Sequence, residues 1–445
     1  MTDMLSIGAS GVRAYQSALT TVSENIANAG TAGYARRTAA LKEVVAVSGT
    51  SSGSVTGLGV AVDGIVRAGS DMRAAEVRAA GSDLARSEAG ATWLQRIENS
   101  LTGAQLGDQL TSFFTSANAV AADPSAIAPR AAMLEAAASV ASAFAATGDA
   151  LEGAAADLDA TADAAVSTLN ALSAGLAKVN AGLGRTQPGT SGAAALLDQR
   201  DQLLEQMSAI SDVSVSLDSV GRATVRGSAS GPVLVKGDEA AIVTYVRNDE
   251  GAVSFAVHAN GETLALGPNG GALAGLAEGA QRIAAARIRL DQLAGSFATG
   301  VNTVQSKGWD LNGTPGQAIF ATGASPTDIT VALSDPRGIA AAVIGGGVRD
   351  NRNLVALAAL RTGGGYETSL TDLVSTNAAA LASRRHVGEA QTAIRDNAVA
   401  ARDSGSGVNI DEEAVDLMRF QQAYQASSRV IQIARETLQS ILDIR

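Results

Sequence analysis

The chain contains no cysteine, which removes disulfides, thiolate metal sites and cysteine nucleophiles. Its two histidines, His258 and His386, stand far apart, so a histidine-rich metal site is not expected and no metal or cofactor is assigned. Aromatic residues make up only 3% of the 445 residues, while 46% are hydrophobic and many of those are alanine. Such a core consists of close-packed helices rather than aromatic clusters. Basic residues are outnumbered, 33 against 44 acidic, for a net charge of −11. Nucleic acid and anionic membrane surfaces both demand a basic footprint, which this balance does not offer. The N-terminus has no basic start followed by an apolar block, so no cleaved secretory signal is expected. No run reaches the roughly 18 apolar residues of a membrane span.

What is present is concentrated at the two ends. Leu5, Val12, Leu19 and Ile26 recur every seven residues, with Gly8, Tyr15, Val22 and Ala29 three positions after each. Near the other end Ile410, Leu417, Tyr424, Ile431 and Leu438 repeat every seven, and Phe420, Ser427, Ala434 and Ile441 fill the accompanying row. The first place in that row is Glu413, so the apolar seam is expected to close only after the helix start. Asp411, Glu412 and Glu413 suit a helix N-terminus, and Arg435 and Arg445 suit its far end. Each stripe alone could be an ordinary amphipathic helix; two at opposite termini point to a pair that meets. Six large N-terminal side chains bring roughly 1.5–3 kcal/mol each when buried. Ordering the helix costs about 1–2 kcal/mol per residue, so the termini are expected to be loose alone and to order on assembly.

Between the ends, residues 38–68 read as strands or extended loop, with alternating stretches at Val44-Val45-Ala46-Val47 and Val60-Ala61-Val62. Residues 70–210 read as helical, most clearly over 149–183, where Leu151, Leu158, Ala165, Leu172 and Val179 form one row. Ala155, Ala162, Leu169, Leu176 and Leu183 form the next. At 212 the period changes to two, and Asn260-Gly261 between alternating runs predicts a hairpin. Leu276, Ile283, Leu290, Phe297 and Val304 then mark a helix from about 271 to 306. Residues 308–349 are rich in glycine and alanine, with one strand expected at 329–333 and no clear domain. Helices follow at about 352–361 and 367–402.

Chemical motifs are sparse. Gly345-Gly346-Gly347-Val348-Arg349 lacks the lysine and spacing of a phosphate-binding loop, and Gly57-Leu58-Gly59 is too short for a dinucleotide site. Trp93 and Trp309 read as packing residues. Asn312-Gly313-Thr314 matches a glycosylation sequon by composition alone. No catalytic constellation is visible, and the chain reads as a structural subunit rather than an enzyme.

The segment from Asn25 to Arg37, with Asn25, Asn28, Thr31, Gly33 and Tyr34, resembles the N-terminal signature of the flagellar axial family of rod, hook and hook-associated proteins. Gly30 stands where that family commonly has asparagine, and Ala32 where it commonly has proline. The stretch Gly407-Val408-Asn409-Ile410-Asp411-Glu412-Glu413, leading into Gln421-Gln422-Ala423-Tyr424-Gln425-Ala426, is similar to the hook-associated branch. So is Leu196-Leu197-Asp198-Gln199-Arg200-Asp201, with Asp198, Arg200 and Asp201. By pattern alone that segment reads as a solvated charged helix face. Asp350-Asn351-Arg352-Asn353 resembles a further landmark of the branch. The resemblance implies a mainly α fold with a small β insert, nested as paired terminal coiled-coil helices, a helical-bundle domain and an inserted β domain. The expected boundaries are 1–33 and 408–445 for the terminal helices, 34–211, 271–307 and 350–407 for the helical domain, and 212–270 for the insert, with 308–349 unassigned. It further implies a hook–filament junction role, with hook protein, a second junction protein, neighbouring copies and an export chaperone as partners. An extracellular location would be reached through the flagellar type III channel.

Overall fold

The computed structural model describes residues 2–45, 57–248 and 250–443. Ala46 and Val47 of the first alternating stretch, and Arg445, lie outside the described residues. The fold is mainly helical with small sheets.

The helical domain is built on α4 (Ile127–Leu183), a single helix of 57 residues. It packs against α2 (Asp71–Gly103), α3 (Leu106–Ala122), α5 (Ser191–Ile210) and α6 (Gly271–Ser306). The periodicity at 149–183 marked only its second half. The first half is rich in alanine, whose small side chain gives a weak amphipathic signal. The row Ala155, Ala162, Leu169, Leu176 and Leu183 is buried throughout, while Ala165 and Leu172 of the other row are half-buried. By length and composition α4 is apolar enough to cross a bilayer, contrary to the reading that no stretch is; its apolar rows lie instead in the domain core.

The scarce aromatics are gathered into that core. Phe297 lies 5.3–6.1 Å, centroid to centroid, from Phe113, Phe114, Phe144, Phe320 and Tyr366. Sequence composition suggested no aromatic cluster; a 3% content concentrated at one point still makes one. Phe320 comes from 308–349, so this segment belongs with the helical domain. It forms two small antiparallel pairs, β10 (Gly308–Trp309) with β13 (Ala342–Val343) and β11 (Phe320–Thr322) with β12 (Ile329–Val331). It is pinned by polar pegs: Asn353 donates to the Ala340 carbonyl (2.7 Å), Asn351 to that of Ala121 (2.7 Å), and the buried Arg130 to that of Ile339 (2.6 Å). Helices α7 (Arg352–Gly364) and α8 (Tyr366–Ser406) complete the domain.

The inserted β domain holds β3 (Val213–Leu217), β4 (Ala223–Gly227), β5 (Val233–Lys236) and β6 (Glu239–Ala240) in one sheet. A second contains β7 (Ile242–Arg247), β8 (Val253–Ala259) and β9 (Glu262–Leu266). Asn260 and Gly261, at φ of 52° and 80°, make the β8–β9 turn that their sequence predicts. Two asparagines of α4 dock the insert. Asn170 exchanges hydrogen bonds with the Val243 backbone (2.9 and 2.8 Å), and Asn180 does so with Ala223 (2.8 Å each way).

The chain's two ends form one further body. Helix α1 (Thr2–Asn28) lies antiparallel to α9 (Ile410–Asp443), and the antiparallel hairpin β1 (Arg37–Val45) and β2 (Gly57–Arg67) packs on α1.

Candidate assembly interface

The antiparallel register of α1 and α9 is set by four contacts. Asn25 meets Glu413, Tyr15 meets Phe420 with ring centroids 6.3 Å apart, Gly11 lies against Ser427, and Gly8 against Ile431. The two ends thus meet within a single chain. On α9 the contact row carries Glu413, Leu417, Phe420, Tyr424, Ser427, Ile431 and Ala434, with Glu413 and Ala434 fully buried and the others half-buried.

On α1 the contact row runs through Gly8, Gly11, Tyr15, Ala18, Val22 and Asn25, of which all but Tyr15 are buried. Val22 and Tyr15 belong to the expected seam; its other large members, Leu5, Val12, Leu19 and Ile26, lie half-buried on the flank. The contact is displaced toward the small side chains because they let the backbones approach. A β-carbon at Gly8 would sit 2.7 Å from Ile431 Cγ1 and 3.2 Å from the Ser427 carbonyl oxygen. Ala14 and Thr21 are also buried, beside the hairpin, where Ser10 Oγ accepts from the Val60 amide (3.2 Å). From Gly8 beside Ile431, the pairing runs out near Thr437. The last turns of α9 therefore overhang, leaving Leu438, Ile441 and Leu442 exposed; Ile410, Val415, Met418 and Ile433 are exposed as well.

Where the terminal body meets the helical domain, the signature residues converge on an ionic junction. Asn25, which is 0% exposed, donates to Glu413 (2.9 Å) and to the Arg37 carbonyl (2.8 Å), and accepts from the Arg37 amide (3.0 Å) and the Tyr34 hydroxyl (2.9 Å). Arg36 donates to Glu413 at 2.6 Å, a hydrogen bond that raises its pKa against the opposing effect of burial. Arg37 stacks on the Tyr34 ring at 4.7 Å and donates to Asp198 at 2.9 Å. Asp198 also accepts from Arg67 (2.6 Å), which pairs with Asp201 at 2.8 Å. Burial opposes the charge on Arg67, but Asp201 and Asp198 outweigh it and leave its pKa raised. Burial likewise raises the Tyr34 phenol. Arg200 bonds Asp201 (2.6 Å) and the Gly221 carbonyl (2.8 Å).

The segment that read as a solvated face is therefore the docking point for both strands of the hairpin. Asp198 is buried because Arg37 and Arg67, which neutralise it, arrive from residues remote in sequence, while Arg200 is buried against its neighbour Asp201 and the Gly221 carbonyl. Gly33 takes φ of 76°, and its missing side chain leaves room for Gln202, which donates to the Ala32 carbonyl at 2.6 Å. Asn28 donates to the Glu24 carbonyl (2.9 Å) and accepts from Thr31 (3.3 Å), shaping the turn after α1. Sequence reading passed over Arg36, Arg37, Arg67 and Glu413 as working residues. For Glu413 the signal was visible: a lone acid in an otherwise apolar row is a polar group at a buried position, a known device for fixing register. Among the described residues no group of three or more Asp, Glu or His is placed to hold a metal ion.

Two family models match this architecture. One, described as the flagellar hook-associated protein FlgK helical domain, covers residues 94–320, more than half of the chain. The chain belongs to the flagellar hook-associated FlgK family. The other, the C-terminal segment of flagellar basal body rod FlgEFG proteins, covers 401–444. The terminal helix is thus common to rod and hook-associated proteins, while the helical domain carries the branch. The flagellar hook-associated protein 1 of Escherichia coli K12 is 25% identical, with the alignment covering 100% of both chains. That of Salmonella typhimurium is 27% identical over 73% of this chain and 60% of its own length. The flagellar hook junction protein FlgK from Burkholderia pseudomallei shares the fold, with a TM-score of 0.50 and 24% identity over 56% of this chain and 47% of its own. As a FlgK-family member the chain is a structural component of the bacterial flagellum.

Proposed function

We propose that this chain is the subunit that joins the flagellar hook to the filament, its paired termini packing against neighbouring copies to build a continuous tube wall. The observation that carries this reading is the terminal body itself. Both ends of the chain return to one place, and the body they form keeps large apolar side chains on its outside. Val415, Met418, Ile433, Leu438, Ile441 and Leu442 on α9 and Met4 and Ile7 on α1 are all exposed. Burying the exposed half of each brings about 1 kcal/mol, an appreciable drive when repeated around a ring. The half-buried Leu5, Val12, Leu19, Ile26 and Leu417 supply the flanks of the same assembly seam, with Ile410 at its base. The helical and β domains face away from the tube; they too expose apolar residues, among them Ile242, Ile288, Ile344 and Ile394, but spread over a much longer stretch of chain.

In this reading the subunit sits on hook protein, receives a second junction protein above it, and adapts a bending hook to a stiffer filament. It is exported through the flagellar type III channel, with a chaperone covering the C-terminal heptads until delivery. Deletion tests the assignment. Cells lacking the chain are expected to build hooks of normal length while filament protein escapes into the medium. Absence of hooks would instead assign the chain to the rod or hook and sink the junction reading.

A further inference from the structure

A cleft of about 750 Å³ opens where the turn after α1, the end of β2, the start of α2, α5 and the α8–α9 link meet. Four arginines reach its wall, as do the carboxylates Asp201, Glu205, Asp403 and Glu412. Arg36 is held by Glu413, Arg67 by Asp198 and Asp201, and Arg402 by Glu205 and Asp403. The fourth, Arg78, is half-buried and has no hydrogen bond or ion pair among the described residues. Every other buried or half-buried arginine among them is bonded to a carboxylate or a carbonyl, down to Arg130, which is satisfied by carbonyls alone, and Arg73, which donates to Ala401.

A guanidinium stays charged at any physiological pH, and a charge taken out of water without a partner is costly. Burial pulls the Arg78 pKa below the ordinary arginine value and Arg200 adds to that, while Asp201, Asp71 and Glu205 act in the opposite direction without reaching ion-pair distance. Arg78 thus keeps its half-exposed guanidinium open on the cleft, near carboxylates of its own chain but paired with none of them among the described residues. The cleft is polar and far larger than a single ion needs, and it opens beside α9, whose apolar outer side is the proposed contact with the next subunit. The link into α9 and its first turn line the cleft at Val408, Asn409 and Glu412, so continuity with that proposed contact favours a second copy as occupant, and each copy carries 44 acidic side chains to offer.

We propose that the cleft receives an acidic side chain from a neighbouring copy of this chain, with Arg78 closing an ion pair between subunits. The proposal rests on the reading that copies pack side by side along their paired termini. Its test uses the full chain carrying Arg78→Ala, Arg78→Lys or Arg78→Glu. Two quantities are read: the melting temperature of the purified chain, and the amount retained on hooks isolated from cells lacking the native copy. Arg78→Ala is expected to melt within about 1 °C of wild type while its retention falls about tenfold. Arg78→Lys should retain an intermediate amount and Arg78→Glu the least. Wild-type retention of Arg78→Ala would overturn the ion pair and leave the junction role standing. A melting temperature lowered by several degrees in both Arg78→Ala and Arg78→Lys would make Arg78 an internal support and equally overturn it. A rise in wild-type melting with inorganic phosphate or succinate, absent in Arg78→Ala, would make the cleft a free-anion site instead. Absence of the wild-type chain itself from hooks would overturn both readings.

Discussion

Phe297 in the helical domain touches five other aromatic rings, whereas the fully buried apolar residues of the terminal body are Ala14, Ala18, Val22, Ala35 and Ala434. The first region is held by volume. The second is held by close approach of small residues and by a junction of charges. A region stabilised by its own bulk needs nothing further from outside. A region that keeps its large side chains on the rim, and its buried positions small or polar, remains able to gain from a neighbour. Buried ion pairs contribute little net stability over an apolar replacement, yet losing one partner is costly. The junction therefore fixes how the terminal body sits on the helical domain more than it strengthens either.

The contrast can be broken at several points. Phe297→Ala should have the largest effect, destabilising the helical domain by about 3–5 kcal/mol and lowering its melting temperature by about 10 °C. Hydrogen exchange should show α3, α4 and α6 opening; a shift confined to α1 and α9 would refute the division. Next comes Asp198→Ala, which leaves Arg37 with Glu24 and Arg67 with Asp201 as their remaining carboxylates, at about 3 kcal/mol. Here the loss should be local, with faster exchange in α1, β1 and β2 and an unchanged core of α4; uniform loss would mean that the two regions are not separable. Gly8→Leu sharpens the close-approach argument. Overpacking against Ile431 and Ser427 should cost about 2 kcal/mol and expose the open end of the α1–α9 pair, despite the better helix propensity of leucine. Preserved protection there would show that the small residues are incidental.

The smallest effect concerns Asp350, which Arg352 holds down to about 2 by a side-chain hydrogen bond. A depressed carboxyl stabilises the fold above its unfolded value near pH 4, and this is lost as pH falls from about 4 to about 2. Wild type should lose about 1 °C more than Asp350→Asn across that window. Equal loss in the two would show that the pair does not contribute.

Much of the fold was legible because it is periodic. The helix at 271–306 and the β insert after 212 follow directly from spacings of seven and two, and the Asn260-Gly261 turn from residues that tolerate positive φ. The start of α4 was not legible, since alanine sits comfortably on either face of a helix. Nor was the contact face of α1. Reading by hydrophobic size selects Leu5, Val12, Leu19 and Ile26, while proximity is granted by Gly8, Gly11 and Ala18. The family signature was visible as letters, but its work was hidden. Asn25 reaches Glu413 across 388 positions, and a segment with alternating charges looks solvated until its partners are known.

The sequence by itself determined where the strongly periodic helices and strands lie, that the two ends carry matching stripes, and that no cysteine chemistry is possible. These depend on local periodicity and on composition, which any short window contains. Only the tertiary structure decided which face of α1 meets α9, that Asp198 and Glu413 are buried rather than solvated, and that Arg78 is left without a partner among the described residues. Those depend on how near two backbones can come and on which distant charge arrives, and neither quantity is written in any single segment of the chain.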